Sequence, residues 1–203
     1  MDEQVLVLSP DRDFIRLRPT AYNRILLDME EERTLMAYNW AVDKLVKYYE
    51  DLHKGLHIAM PRSDSLDVSF ELYRRAQVDM MNGSKTAQRY AVLEAFVDAK
   101  KYGVKLKRRE KTDKGHFYTG EIGSHNVTGQ SRIRIPHVGL VVVEGEYTVR
   151  EKAFNGYIER KGSGSDAEWV VSICYKATQS AVFNATPCTL NLKMPADFKL
   201  RKA

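Results

Sequence analysis

The spacing of the apolar residues changes once along this chain, and that change limits what it can fold into. Between Leu35 and Leu52, apolar residues follow one another at spacings of three and four, which is typical of one face of an α-helix. From Phe117 onward, alternating and β-branched runs such as Ile133-Arg134-Ile135 and Trp169-Val170-Val171 predict strands. The sequence therefore predicts an α+β fold whose several short strands form a small antiparallel β-barrel.

Turn and capping residues set the predicted element boundaries. Extended chain is predicted up to Arg18, where Pro19 ends it. Ser84 is suited to cap a helix that Gly103 ends, and residues 162–166 are typical of a hairpin turn. The predicted helices cover residues 21–53, with a break near Glu30, then 68–81 and 85–102.

The positive charge is concentrated in one short segment. Residues 100–114 contain eight Lys/Arg and two acids, a net charge of +6, whereas the whole chain carries +5. Such a cluster favours a phosphate-binding surface, although a run of charge is also common on a solvated loop. The candidate phosphate contacts are Lys100, Lys101, Lys105, Lys107, Arg108, Arg109, Lys111 and Lys114, with Arg132 and Arg134 adding charge from a later strand.

Several functional classes find no support in the sequence. There is no apolar run of about 18 residues and no signal-peptide pattern, so we expect a cytoplasmic protein without a membrane segment. Cys174 and Cys188 have no histidines at ligand spacing, and the acids are scattered. We therefore expect no metal, no cofactor and no catalytic centre.

A series of weak motifs appears in a fixed order. Arg16-Leu17-Arg18-Pro19 precedes Tyr38-Asn39-Trp40-Ala41, and a later stretch from Arg132 to Gly139 reads Arg-Ile-Arg-Ile-Pro-His-Val-Gly. Trp169-Val170-Val171-Ser172 closes the series. In this order the chain resembles the N-terminal half of the TnpB (OrfB) family of insertion-sequence proteins, which are relatives of the type V CRISPR nucleases. The resemblance covers about residues 14–175.

The resemblance implies a domain organisation. A helical recognition lobe over residues 21–103 would be inserted into a wedge-like β-barrel formed by residues 1–20 and 104–177, and residues 178–203 match no part of the family pattern. The family binds a guide RNA and reads a short motif beside its DNA target. By position, the motif readers would be Lys85, Gln88, Tyr118 and Thr119. From the residues alone, Gln88 would be an exposed helix residue.

The chain departs from the family after Tyr175. Family members continue there into a RuvC-type nuclease whose carboxylates hold metal ions, and no such strand follows here. We therefore expect a nucleic-acid-binding module, whose partners are guide RNA, double-stranded DNA or both, and which is not itself an enzyme. A separate RuvC-like nuclease subunit could supply catalysis. The alternative is a protein-interaction subunit or inhibitor, which an apolar patch around Trp40 or Trp169 would favour.

Overall fold

A computed structural model describes residues 12–56, 59, 61–112, 114–120, 131–145 and 153–175. The first strand, β1, spans Arg12–Arg18 and is followed by four helices and then five more strands. The α+β prediction is thus confirmed. The predicted strands around Val5 and Tyr147, as well as the unassigned residues 178–203, lie outside the described residues.

The first helix, α1, spans Ala21–His53 and has no break at Glu30. Thr20 and Asn23 form a reciprocal capping box at its start. The Glu30 carboxylate is buried and accepts hydrogen bonds from Arg33 at 2.7 Å and from the Ser84 backbone N–H at 2.9 Å. The predicted break was wrong because this charge is satisfied inside the protein, so the helix has no need to open toward water.

The remaining helices fold back along α1. The second, α2 (Ser63–Arg75), and the short α3 (Val78–Met81) replace the single helix predicted over residues 68–81. The fourth, α4 (Lys85–Tyr102), has the predicted bounds, and Ser84 Oγ accepts from the Ala87 N–H at 3.2 Å. Gly103 follows at φ +54°, a backbone conformation that glycine adopts readily.

The strands form one six-stranded antiparallel sheet. After β1 come β2 (Lys114–Gly120), β3 (Arg132–Ile135), β4 (Gly139–Val143), β5 (Ala153–Lys161) and β6 (Glu168–Tyr175). Their order across the sheet is β2-β5-β6-β1-β4-β3. Along the chain, the four helices lie between β1, which is an inner strand of the sheet, and β2, which is an edge strand.

The predicted barrel is wrong, because the sheet formed by the described residues is open. β2 and β3 are its two edges and do not pair with each other. Strand spacing in a sequence does not specify closure, and here α1 and α4 pack against β2. Helices therefore pack against the strand that a barrel would have paired with β3.

Two cores hold the molecule together. One joins the inner face of the sheet, including Ile15, Ile133 and Trp169, to Leu27 of α1. The other lies among the helices around Phe70, Leu45 and Phe96. Among the described helices, none is long and apolar enough to cross a membrane.

Candidate nucleic-acid interface

The predicted basic segment, residues 100–114, runs from the end of α4 along α1 to β2. Three of its eight cations are paired with acids of the two helices. Arg108 lies 3.7 Å from Asp43, and Lys111 lies 2.9 Å from Glu32 and 3.8 Å from Asp28. Much of the +6 charge seen in the sequence is therefore neutralised across the fold.

Arg109 is the most firmly held of these cations. Its guanidinium lies 2.8 Å from both Glu94 and Asp98, and it stacks 3.8 Å above the Tyr38 ring. The Asn39 side chain accepts from the Arg109 N–H at 2.8 Å and donates to its carbonyl at 2.9 Å. Burial lowers the pKa of Arg109, but the neighbouring Glu94, Tyr38 and Asp98 raise it overall. These contacts anchor the segment to α1 and α4, and the phosphate contact expected of Arg109 stays a prediction.

The lysines of the segment remain accessible at one end of the helices. Near the ends of the two helices, the Tyr49 hydroxyl of α1 donates to the Ala99 carbonyl of α4 at 3.0 Å. Earlier in α1, Glu30 accepts from the Ser84 N–H at the start of α4. The two helices therefore run parallel and end together. Lys100 lies over the Phe96 ring at 4.7 Å, and Lys101 over Tyr102 at 5.0 Å. Two further exposed lysines, Lys105 and Lys107, follow in the loop, and Lys114 is exposed at the start of β2.

Lys47 of α1 and Lys54, which follows the last residue of that helix, complete this surface. They line a shallow groove of about 520 Å³ together with Leu106, Arg108 and the acids Asp43, Glu50 and Asp51, and Lys54 Nζ lies 3.9 Å from the Asp51 carboxylate. Nothing in the sequence connects these two lysines with the basic segment, since more than 40 residues intervene. Connecting them would have required a prediction that α1 and α4 pack in parallel. The lysine end comprises Lys47, Lys54, Lys100, Lys101, Lys105 and Lys107.

The two predicted motif readers on α4 lie in different environments. Gln88 is fully buried, and its Nε2 donates to the Met80 carbonyl at 2.9 Å, so both the base-reading and the exposed-residue interpretations are corrected. Lys85 is half-exposed and lies 3.2 Å from Glu71. Burial raises the pKa of Glu71, but hydrogen bonds from Arg75, Lys85 and Arg74 lower it to about 2.

Of the two predicted readers on β2, Thr119 is buried and Tyr118 is partly buried in the cleft beside α4. Thr119 is buried, and its hydroxyl donates to the Gly156 carbonyl at 3.1 Å. Tyr118 stacks on Tyr90 with ring centroids 4.4 Å apart and contacts Tyr157. The Tyr90 and Tyr157 hydroxyls are 2.7 Å apart, and burial raises the pKa of Tyr90 to about 12. These side chains join α4 to the sheet, and the base-contact role predicted for Thr119 is corrected.

The open side of the sheet bears the predicted Arg132 and Arg134 and two arginines of β1 that were not among the predicted phosphate contacts. Arg132 pairs with Val142 of β4, which in turn pairs with Arg18 of β1, so all three side chains share one face. Arg16 lies on the same face of β1. This surface, the arginine face, comprises Arg16, Arg18, Arg132, Arg134, Phe14, Leu140 and Val142.

A cleft of about 260 Å³ lies between α1, α4 and β2. His116 Nε2 lies 3.4 Å from Glu94 Oε1, and this hydrogen bond raises the pKa of His116. Arg109, Lys111 and Lys114 also line the cleft. Within the described part of the chain, no group of three or more His, Cys, Asp or Glu could hold a metal ion.

Comparison with protein families and with curated proteins assigns no family to the chain. No protein-family model matches the sequence, and no curated protein is similar to it. The likeness to the TnpB family therefore stays a prediction.

Proposed function

We propose that the chain is a nucleic-acid-binding module of a TnpB-like, RNA-guided DNA-targeting system. It binds guide RNA, a short target-adjacent motif in double-stranded DNA, or both, and has no nuclease centre of its own. The observation that carries this proposal is the lysine end.

Helix dipoles account for only part of this surface. Cations near the last turns of α1 and α4 are favoured by the partial negative charge of the carbonyl ends. Lys105 and Lys107 lie beyond both helices, and with the described residues they form no ion pair. Their exposed charges are available to a polyanion, and six lysines within one region are typical of phosphate binding.

The position of the helices supports the family assignment. They lie in the chain between β1 and β2, as the resemblance implies for a recognition lobe inserted into a wedge. The wedge of this chain would be an open sheet rather than a barrel. Gln88 and Thr119 are buried, so other residues would have to read the target-adjacent motif.

Affinity for nucleic acid tests the proposal. The test variant, Lys105→Gln/Lys107→Gln, removes two exposed charges from the lysine end. The control variant, Arg62→Gln/Arg75→Gln, removes one charge just before α2 and one at its last residue. Each control side chain is exposed by at least 66% and has an acidic neighbour. We expect the wild type to bind a structured RNA or a DNA duplex at low salt, the lysine variant to bind more weakly, and the control to bind like the wild type. No binding by the wild type would contradict the proposal.

A second candidate function, a protein-interaction subunit or inhibitor, is favoured by a different surface. Trp169 is buried and Trp40 packs on Phe70 and Tyr73, so the expected patch around the tryptophans is absent among the described residues. Instead, α1 exposes an apolar stripe at helical spacing. It consists of Tyr22, Ile25, Met29 and Met36, which are between 36% and 69% exposed.

Substitution of the stripe separates the two functions. Ile25→Ser/Met29→Ser should leave nucleic-acid binding unchanged, because both residues lie far from the lysine end on α1. Binding of a nuclease subunit by the wild type, with loss in this variant, would favour the interaction function. Unchanged protein binding in the variant would count against it.

A further inference from the structure

The loop that carries Lys105 and Lys107 is fixed to the helices at two points. Leu106 is buried in the helical core, and its N–H donates to the Gly103 carbonyl at 3.0 Å. The second point is Arg109, which contacts both α1 and α4. The two lysines flank the first point and are exposed to solvent. The backbone that carries them is therefore held on the protein side while their side chains face outward.

Asn39 of α1 holds the second point through the backbone. Its Oδ1 accepts from the Arg109 N–H at 2.8 Å, and its Nδ2 donates to the Arg109 carbonyl at 2.9 Å. A side-chain amide can act as donor and acceptor at once, so it pairs with Arg109 as a neighbouring strand would. The two residues are 70 positions apart in the chain. The contact therefore fixes a distant loop and involves no charged side chain of that loop.

The side chain of Arg109 is restrained separately. Its guanidinium lies 2.8 Å from Glu94 and from Asp98 on α4, and it stacks on the Tyr38 ring of α1. The Tyr38 hydroxyl in turn donates to Asp98 at 2.8 Å. Because Asn39 holds the backbone while these groups hold the side chain, the loop is fixed in one orientation at this point.

Lys105 and Lys107 themselves keep free side chains. Neither forms an ion pair within the described part of the chain, and both are exposed. Only their side chains would have to become ordered when a polyanion binds. A loop that was free before binding would also lose backbone freedom, and ordering the backbone of a single residue weakens binding by roughly tenfold.

We propose that Asn39 is a positioning residue for nucleic-acid binding, which fixes the loop before the ligand arrives so that Lys105 and Lys107 meet phosphates without ordering the backbone. This inference deepens the proposed function and rests on it. Asn39 acts through the loop, because the oxygen and the nitrogen of its side chain both bond to the Arg109 backbone. A binding surface that is ordered in advance gains affinity by lowering the entropy cost of association.

Three variants separate positioning from charge, with a labelled DNA duplex as the ligand. Asn39→Ala removes both hydrogen bonds to the Arg109 backbone and changes no charge. The matched control is Asn82→Ala, because Asn82 is an exposed asparagine shortly before α4. The 18 residues of α4, about 27 Å, separate it from the lysine end. Lys105→Gln/Lys107→Gln removes the charges through which Asn39 acts. Circular dichroism checks that each variant is folded.

We expect Asn39→Ala to weaken duplex binding by about tenfold and to keep the wild-type salt dependence, since the number of phosphate contacts is unchanged. In the Lys105→Gln/Lys107→Gln background, the same substitution should have little further effect. Asn82→Ala should bind like the wild type. Wild-type affinity in folded Asn39→Ala, or an equal loss in both backgrounds, would overturn the inference.

Hydrogen exchange in the wild type tests the same inference even if Asn39→Ala does not fold. The Arg109 N–H should be protected to a similar degree in the free protein and in the complex. Rapid exchange in the free protein, with protection only in the complex, would show that the loop becomes ordered on binding, and the inference would fail. If the wild type binds no duplex, the proposed function fails with it. If the lysine variant loses binding and Asn39→Ala does not, the proposed function stands and this inference fails.

Discussion

Glu31 and Arg160 are 129 positions apart in the sequence and form a buried ion pair between α1 and β5. Arg160 donates to the two carboxylate oxygens at 2.6 and 2.9 Å. The same guanidinium donates to the Thr112 carbonyl at 2.6 Å and to the Gly162 carbonyl. One side chain therefore fixes the helices, the basic segment and the β5–β6 hairpin relative to one another.

Glu31→Gln should lower the free energy of unfolding by about 3 kcal/mol, because Arg160 keeps a buried charge without its counterion. Urea denaturation measures the change. Glu32→Gln is the matched control, since Glu32 pairs with Lys111 on the surface, and its effect should stay within about 0.5 kcal/mol. Equal losses for the two variants would show that burial of the pair is unimportant.

Gly115 makes room for this ion pair. A Cβ atom at Gly115 would lie 1.8 Å from Glu31 Oε1 and 2.3 Å from its Cδ. Gly115→Ala should therefore displace the carboxylate and lower the free energy of unfolding by about 1–3 kcal/mol. Glu31→Ala removes the obstructing atoms, so the double variant should lose less than the sum of the single variants. Strict additivity would contradict the contact.

Protonation of His116 should stabilise the contact between β2 and α4. The hydrogen bond from His116 to Glu94 raises the pKa of His116, although burial and Arg109 lower it and Glu159 raises it. A group whose pKa rises on folding stabilises the folded state below its unfolded pKa of about 6.5, and that contribution is lost as the pH rises through the folded pKa.

Denaturation of wild type and His116→Gln at two pH values measures this contribution. The difference in free energy of unfolding should be larger near pH 5.5 than near pH 8.5, where neutral histidine provides no such linkage. In the wild type, Glu94 remains ionised at the lower pH, because burial raises its pKa but His116 and Arg109 lower it overall. A difference that does not depend on pH would refute the protonation argument.

The sequence predicted elements better than their assembly. Local signals sufficed for α4, because the Ser84 cap and Gly103 mark its ends within the chain. The β5–β6 hairpin was equally local, with Lys161 paired to Glu168 across the predicted turn. Closure of the sheet could not be predicted from local signals, since it depends on whether a strand or a helix packs against β2.

The candidate site shows the same division. Charge density identified the basic segment, but it could not show that Arg109 pairs with Glu94 and Asp98, which belong to α4. Position in a motif could not show that Gln88 is buried. Arg16 and Arg18 joined Arg132 only through the register of β1 with β4, and such pairing between distant strands leaves no local signal.

The central claim is that the lysine end contacts phosphates, and the salt dependence of duplex DNA binding measures those contacts directly. Each lost contact should reduce the slope of log K against log salt by about 0.9, so Lys105→Gln/Lys107→Gln should be shallower than the wild type by about 1.8. The control Arg62→Gln/Arg75→Gln should keep the wild-type slope. A lysine variant whose slope equals that of the wild type would contradict the account, because Lys105 and Lys107 would then release no counterions on binding.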